Sequence, residues 1–503
     1  MKHMIKRYEL FSFKSAKLLV LMFLLFGICA GCFEKDPVET QVNTLIQGLG
    51  DEDERVSSGS ANELCAIGEP AVDPLIKALK DDNPQARSLA AQILGMIGDK
   101  KATNSLIEAL RDSVPEVRMN AAFSLGELQA TEAVEPLIEL LEDENGEVVR
   151  YTVIALGMLK DPRATEPLCE VLKRDDASTS YDGDSDMRYT GNSNIRSEAV
   201  FALGETGDPR AVDTLLDLLA DKEVGNSAAS SLGRIKSEYV FEKLIKLLDS
   251  KNPTTRTNAV AVYENIQDPN AVPILVRMLN DQVPEVRREA AYALGHFNES
   301  EEIAQTEQPL INSLEDSNVE VQVAAAGSLG RIKSKKAIPF FADLIQSNNS
   351  SLCETAINAL ARYTDPEAAD VLIAALGNEN WHIRMEIVYS LREVGDTRAV
   401  DPLIPLLGDE NSEVRKGAAI ALGTLGDRKA VEPIVKALET ERESDVRISE
   451  VQALGILGGS EAINCLSRVS TDKDEYKYVR NSAEKALVIL KGGGTVNASF
   501  FYQ

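Results

Sequence analysis

The chain is predicted to be all-α: a right-handed α-solenoid, a superhelix of about fourteen stacked two-helix repeats. Three observations predict it. The stretch from Ala102 to Ala133, ATNSLIEALRDSVPEVRMNAAFSLGELQATEA, holds two apolar series at helical spacing: Leu106, Ile107 and Leu110, then Val117, Ala121, Leu125 and Leu128. Asp112, Ser113 and Pro115 separate the two, so the second helix folds back on the first. The pattern then recurs. Starting points at Ala71, Ala102, Ala133, Ala164, Ala211, Ala271, Ala337, Ala368, Ala399 and Ala430 fall about thirty-one residues apart, or at multiples of that, where no insertion intervenes. Finally, one hairpin buries only one face of each helix, so it needs copies stacked on both sides.

Two further columns run through the repeats. A proline stands in the first turn of several first helices (Pro74, Pro136, Pro167, Pro402, Pro433). An arginine stands early in most second helices: Arg87, Arg118, Arg196, Arg256, Arg287, Arg384, Arg415, Arg447 and Arg480. The remaining five repeats carry Ser57, Val149, Gly225, Gln322 and Cys353 at that position. On these residues, and on motifs such as AVEPLIELLED, PEVRREAAYALG and LGDRKAVEPIVKAL, the chain resembles the HEAT-like repeats of the phycobilisome-lyase type, over roughly Asp36 to Lys491. The resemblance implies that the second helix of each repeat lines a concave face. It also implies that the arginines form a structural ladder to acids and carbonyls at the hairpin turns, such as Asp112 beside Arg118; phosphate binding is the alternative reading of that column.

The N-terminus differs in kind. Lys2, Lys6, Arg7, Lys14 and Lys17 precede a thirteen-residue apolar run, Leu18 to Ala30, too short for an ordinary span and of signal-peptide length. Residues 1–31 therefore read as a signal peptide. Ala30 and Gly31 before Cys32 resemble the box that is cut and lipid-modified in prokaryotic lipoproteins, although Cys29 departs from it. Cys32 is the expected lipid attachment point and residues 32–35 the start of a tether at the membrane, on the cell surface or in the periplasm. The alternatives are a signal cut without lipid and an uncleaved anchor.

Within the repeats, the first (Asp36 to Glu69) is the most polar, as a terminal repeat with one face in water should be. The fifth is interrupted by an inserted acidic loop, residues 175–194, rich in Asp, Ser, Gly and Asn. Asp182, Asp184 and Asp186 alternate there as in an EF-hand loop. Met187 stands where its glycine belongs and Ser193 where its bidentate glutamate belongs, so a solvated loop is the expectation and a calcium site the alternative. The sixth repeat is short, and a longer connection is expected at Asn298 to Thr306. Asp99, Asp161, Asp208, Asp268, Asp365, Asp396 and Asp427 precede helices and are expected to cap them. Residues 492–503 form a Gly-rich C-terminal tail.

Charge narrows the partners. The formal net charge is −27; residues 1–31 carry five basic residues and one acid, +4, which leaves the remainder near −31. Phosphate backbones would be repelled, so nucleic acid is excluded as a partner. Cys65, Cys169, Cys353 and Cys465 lie in separate repeats, too far apart to pair within one solenoid. Of the three histidines, His3 lies in the signal, and His296 and His382 are almost three repeats apart, with no metal spacing, nucleophile elbow or phosphate loop. No cofactor and no catalytic constellation are expected.

What remains is surface. On the helical wheel of the third repeat, Met119 and Phe123 lie opposite Val117, Ala121, Leu125 and Leu128. Their counterparts are Ile154, Phe201, Tyr292, Tyr389 and Ile420 for Phe123, and Met385 and Ile448 for Met119. Packing between repeats is one reading of these residues. The other is an apolar stripe that binds a protein or peptide, making the chain a membrane-tethered interaction scaffold; an enzyme, or an enzyme accessory of the lyase type, is the alternative that the family resemblance alone suggests.

Overall fold

The computed structural model describes residues 37–174, 195–235, 238–297 and 300–491. Among these residues every regular element is helical, and the α-helices fall into fourteen A/B pairs. Contacts divide the chain into two units, Met1–Ile245 and Lys246–Gln503. The first holds α1 (Pro37–Gly48) and α2 (Glu54–Ile67), α3 (Val72–Ala78) and α4 (Pro84–Ile97), α5 (Thr103–Ala109) and α6 (Pro115–Glu127), α7 (Val134–Leu140) and α8 (Gly146–Leu159), α9 (Thr165–Lys173) and α10 (Ile195–Thr206), and α11 (Val212–Asp217) and α12 (Gly225–Ile235). The boundary falls inside α13 (Glu238–Leu247). The second unit continues with α14 (Pro253–Ile266), α15 (Val272–Met278) and α16 (Pro284–Leu294), α17 (Ser300–Asn312) and α18 (Val319–Arg331), α19 (Ile338–Ile345) and α20 (Ser350–Leu360), α21 (Pro366–Ala374) and α22 (Trp381–Val394), α23 (Val400–Leu403) and α24 (Ser412–Leu425), α25 (Val431–Thr440) and α26 (Ser444–Leu457), and α27 (Ser460–Thr471) and α28 (Lys477–Lys491). Odd numbers are A helices and even numbers B helices.

The third repeat shows why these residues make these elements. Asp99 Oδ1 accepts the Lys101 N–H at 2.9 Å and opens a short 3-10 turn, Lys100–Ala102, that leads into α5. Asp161, Asp208, Asp268, Asp365, Asp396 and Asp427 accept the equivalent N–H in their own repeats, as the sequence predicts. Leu106, Val117, Ala121 and Leu125 are fully buried, while Ile107 is only half-buried. Pro115 starts α6, where its missing N–H has no helical partner to lose. Asparagines also cap B helices: the Asn83, Asn145, Asn318 and Asn411 side chains each accept the N–H two residues on.

Within each unit successive B helices stack directly on one another, and glycine permits the approach. A Cβ added at Gly95 would meet the Ser124 Cα at 2.9 Å, and one at Gly330 the Ala359 Cα at 2.8 Å. The repeated Leu-Gly is therefore a packing device. Ser124 Oγ uses the closeness to donate to the Ala91 carbonyl at 2.8 Å, which satisfies a buried hydroxyl.

The arginine column holds neighbouring repeats together. Arg87 Nε and Nη2 donate to the two carboxylate oxygens of Asp112 at 2.7 and 2.9 Å, and Nη1 donates back to the Asp81 carbonyl at 2.9 Å. Arg256 takes Asp281, Arg287 takes Asp316, Arg384 takes Asp409 and Arg415 takes Glu441 in the same forked way. The Arg287 guanidinium holds Asp316 below the ordinary carboxylate range. Asp112 thus serves two arginines, giving its carboxylate to the preceding repeat and its carbonyl to Arg118 at 2.9 Å. Where glutamine replaces arginine, Gln322 Nε2 keeps only the carbonyl bond, to Asp316 at 2.7 Å.

One expectation is corrected here. Residues 300–306, read as a connection, belong to α17, and Pro309 lies inside that helix. Glu301 and Glu302 in its first turn favour the start, and the Ser313 hydroxyl donates to the Pro309 carbonyl at 3.1 Å. Cys65, Cys169, Cys353 and Cys465 are free thiols. The signal segment with Cys32, the 175–194 loop with Asp182, Asp184 and Asp186, and the 492–503 tail lie outside the described residues. No helix among those described is long and apolar enough to cross a membrane.

Candidate functional site

Within each unit, a B helix that has a B helix on both sides and its A helix on a third keeps its fourth face open. The columns containing Met119 and Phe123 lie on it. Along the Phe123 column Tyr292 is 42% exposed, Phe123, Ile154, Phe201 and Tyr389 are half-buried, and Ile420 is only 8% exposed. Met119 and Met385 are half-buried as well. Ile420 is therefore a correction to the outward set. Val388 and Tyr389 of the neighbouring α22 stand 3.4 and 3.8 Å from where a Cβ at Gly417 would lie, one turn before Ile420, so that side of α24 is already occupied.

In the first unit the open face carries apolar side chains on four successive B helices, with polar ones such as Gln92, Asn120 and Glu127 between them. Met96 on α4, Met119 and Phe123 on α6, Tyr151, Ile154 and Met158 on α8 and Phe201 on α10 line it, with Met96 57% exposed and the rest half-buried. Phe123 meets Tyr151 edge to face, ring centroids 5.8 Å apart. Arg150 lies over the Tyr151 ring at 4.6 Å and Arg234, on α12, over Phe201 at 4.7 Å. Some of the charges around it pair with one another, Arg150 with Glu147 at 2.7 Å, and Glu205 with both Lys160 at 2.7 Å and Arg234 at 3.5 Å, while exposed Glu127 stands between Met96 and Met158 in the same column. Met96, Tyr151 and Met158 were missed in the sequence because only the columns of Met119 and Phe123 were followed. The columns one residue after Met119 and four after Phe123 would have shown Tyr151, Met96 and Met158.

The second unit presents a different chemistry on the same face. Glu264 on α14, Glu289 and Tyr292 on α16, His296 just beyond it and Arg331 on α18 converge. Arg331 stacks over Tyr292 at 4.6 Å and donates to the Tyr292 carbonyl at 3.2 Å, and the His296 ring meets Tyr292 with centroids 4.9 Å apart. Burial raises the Glu264 carboxyl above its ordinary value, and burial together with the Glu264 charge raises Glu289. Burial, then the Arg331 charge, lowers His296, so its imidazole is neutral at pH 7. His296 Nδ1 stands 3.5 Å from Glu264 Oε1 but outside hydrogen-bond geometry, and with the ring neutral this is not an ion pair. The sequence held a signal for this cluster: Glu264 and Tyr263 occupy the positions where most repeats carry glycine and leucine. Chemically the group offers hydrogen bonds and an aromatic face. Among the described residues no cluster of three His, Cys, Asp or Glu side chains could hold a metal ion.

Comparison with known proteins agrees with the fold. The HEAT repeats model matches residues 42–119, 103–180, 187–261, 241–306, 283–356, 307–392, 354–412 and 400–488. The chain is 28% identical over 148 residues, 28% of its own length and 71% of the other's, to the uncharacterized phycocyanin operon protein Z of Pseudanabaena tenuis. Among solved structures, a chain of the Kap95p–RanGDP structure superposes with a TM-score of 0.59 at 14% identity, over 99% of this chain and 76% of that one. Kap121p superposes with a TM-score of 0.56 at 13% identity, over 97% of this chain and 64% of that one, and Kap121p has also been solved bound to Pho4p and to Nup53p. At such identities the likeness shows the fold alone. With family matches running from residue 42 to 488 over an all-helical array of A/B pairs, the chain belongs to the HEAT-repeat family.

Proposed function

We propose that this protein is an interaction scaffold that binds a protein or peptide on the open face of its B helices, the concave face by family resemblance, while tethered to the outer side of a membrane through Cys32. The observation that carries the reading is the apolar stripe of the first unit, where Met96 and half-buried rings stand on a face that no described element covers. The solved relatives that bind protein partners support it by analogy of fold. The lipid tether rests on the basic region, the apolar run and the Ala-Gly-Cys order of the N-terminus. An enzymatic or enzyme-accessory role of the phycobilin-lyase kind is the second reading, and it rests on the resemblance alone.

A photo-crosslinking residue at Phe123, compared with one at exposed Glu135 on α7, tests the face. A discrete adduct formed in detergent-solubilised membranes at Phe123 and not at Glu135 is the expected result, and adducts at neither position defeat the reading. Intact-mass measurement of the mature N-terminus tests Cys32: a diacylglyceryl adduct is expected, and its absence removes the tether.

A further inference from the structure

We propose that Glu450 and Glu475 compete for the guanidinium of Arg447, so that ionisation of the buried Glu450 releases the last described repeat, α27 and α28, from the repeat before it.

Arg447 is the ladder arginine of α26, and Glu450 follows it by three residues, the interval at which side chains on one helix are neighbours. In the eight other repeats with a ladder arginine, the residue three places on is alanine in seven and Ile387 in one. Only in this repeat does the ladder arginine have a carboxyl three residues ahead of it on its own helix.

The two carboxyls stand in different circumstances. Arg447 Nε donates to Glu475 Oε1 at 3.1 Å and Nη2 to Oε2, while Nη1 donates to the carbonyls of Leu438 and Glu441 at 2.6 and 2.9 Å. Glu475 lies in the turn before α28, so this fork ties α26 to the last repeat, and both of its side chains are largely buried. Glu450 is fully buried, and neither of its oxygens makes a hydrogen bond. A protonated acid is tolerated there far better than a carboxylate without a partner.

The charged groups facing Glu450 are Arg447, Arg415 on α24 and Glu441 just after α25. Arg415 is already committed to Glu441, Nε to Oε2 at 2.6 Å and Nη2 to Oε1 at 3.1 Å. From the other side, Cys465 on α27 is a thiol that burial keeps neutral, and Arg480 on α28 gives Nη1 to the carbonyls of Asp472, Lys473 and Glu475. Arg447 is the cation that Glu450 reaches along its own helix.

Burial, with the Glu441 charge adding to it and Arg447 and Arg415 opposing, pushes the Glu450 carboxyl up to about 8, so at pH 7 it is protonated and the tie to Glu475 is intact. As pH rises, the carboxylate draws Nε and Nη2 of Arg447 away from Glu475, which is left as a buried charge without a partner. The terminal repeat packs on a single described neighbour and is the part that opens most easily. An opening that releases one proton becomes about tenfold easier with each pH unit up to about 8 and levels off above it.

Hydrogen exchange of the full chain, read by mass spectrometry from pH 6 to pH 9 and corrected for the intrinsic rate at each pH, tests this. Protection of residues 472–487 should fall about tenfold per pH unit up to pH 8 relative to α14, α16 and α18, and stay level in Glu450→Gln. Glu450→Ala, which restores the residue this column usually holds, should also stay level and covers the case in which the glutamine variant fails to fold. Glu475→Gln should lower protection of the same residues already at pH 6, where Glu450 is protonated.

Protection of residues 472–487 that does not change with pH overturns the proposal, as does a fall of the same size in Glu450→Ala. An equal fall from α14 through α28 shows destabilisation of the whole unit and overturns it too. A fall confined to α25 assigns Glu450 to Arg415, and full protection of Glu475→Gln at pH 6 removes the tie; either result defeats the competition for Arg447.

Discussion

Arg118 of the third repeat grips Asp143 of the fourth through two hydrogen bonds, Nε to Oδ2 and Nη2 to Oδ1, both 2.7 Å. Both side chains are almost wholly buried, and a third bond ties Arg118 to the Asp112 carbonyl of its own repeat. One guanidinium therefore fixes a turn of its own repeat and the turn of the next.

Breaking that pair leaves a charge buried without a partner. Arg118→Ala should cost about 3–5 kcal/mol in urea unfolding, and Asp143→Ala a similar amount, while the double variant should lose much less than the sum. Additive losses would show that the two residues act separately.

Gly330 and Gly59 should respond to alanine with opposite signs. At Gly330 the new Cβ would lie 2.6 Å from the Ala359 Cβ, so Gly330→Ala should cost about 1–3 kcal/mol. At Gly59, inside α2, nothing stands within 4 Å, and Gly59→Ala should add about 0.5–1 kcal/mol through helix propensity. Thermal unfolding of the two variants reads both signs.

Glu450 makes stability depend on pH. It stands on α26 in the column that holds Ala121 in the third repeat, fully buried, with neither carboxyl oxygen hydrogen-bonded. Burial, with the Glu441 charge adding to it and Arg447 and Arg415 opposing, pushes it from 4.5 up to about 8. A carboxyl raised by folding stabilises the fold fully below pH 4.5, and that contribution is lost as pH rises to about 8. Between pH 5 and pH 8.5 the wild type should lose more stability than Glu450→Gln; parallel melting curves for the two would refute this.

The aromatic positions separate binding from packing. Alanine at Phe123, Phe201, Tyr292 or Tyr389 should each cost about 1–2 kcal/mol of partner affinity. Tyr292, the most exposed, should lose least melting temperature, and Phe123, in contact with Tyr151, the most. Four destabilised proteins that bind fully per folded molecule would return these residues to packing alone.

The sequence by itself determined the helices, their pairing and their count, because each depends on local spacing: apolar residues every three or four positions, aspartate before the first turn, proline at the start of a helix, and a period of about thirty-one residues. It also placed the arginine column. Only the tertiary structure decided where each arginine reaches, since Asp143 lies twenty-five residues beyond Arg118 and the closer Asp112 offers it only a carbonyl. The same holds for the open face. A helical wheel puts Ile420 and Tyr292 at one angle, but exposure depends on what the neighbouring B helix brings against each: Val388 and Tyr389 of α22 lie against the turn at Gly417 before Ile420, while Tyr292 stays 42% exposed. Glu264, Glu289, His296 and Arg331 are scattered over sixty-eight positions of sequence, and stacking three B helices is what makes them neighbours and shifts the protonation of Glu264, Glu289 and His296, because burial and the nearness of like charge exist only once the helices have met.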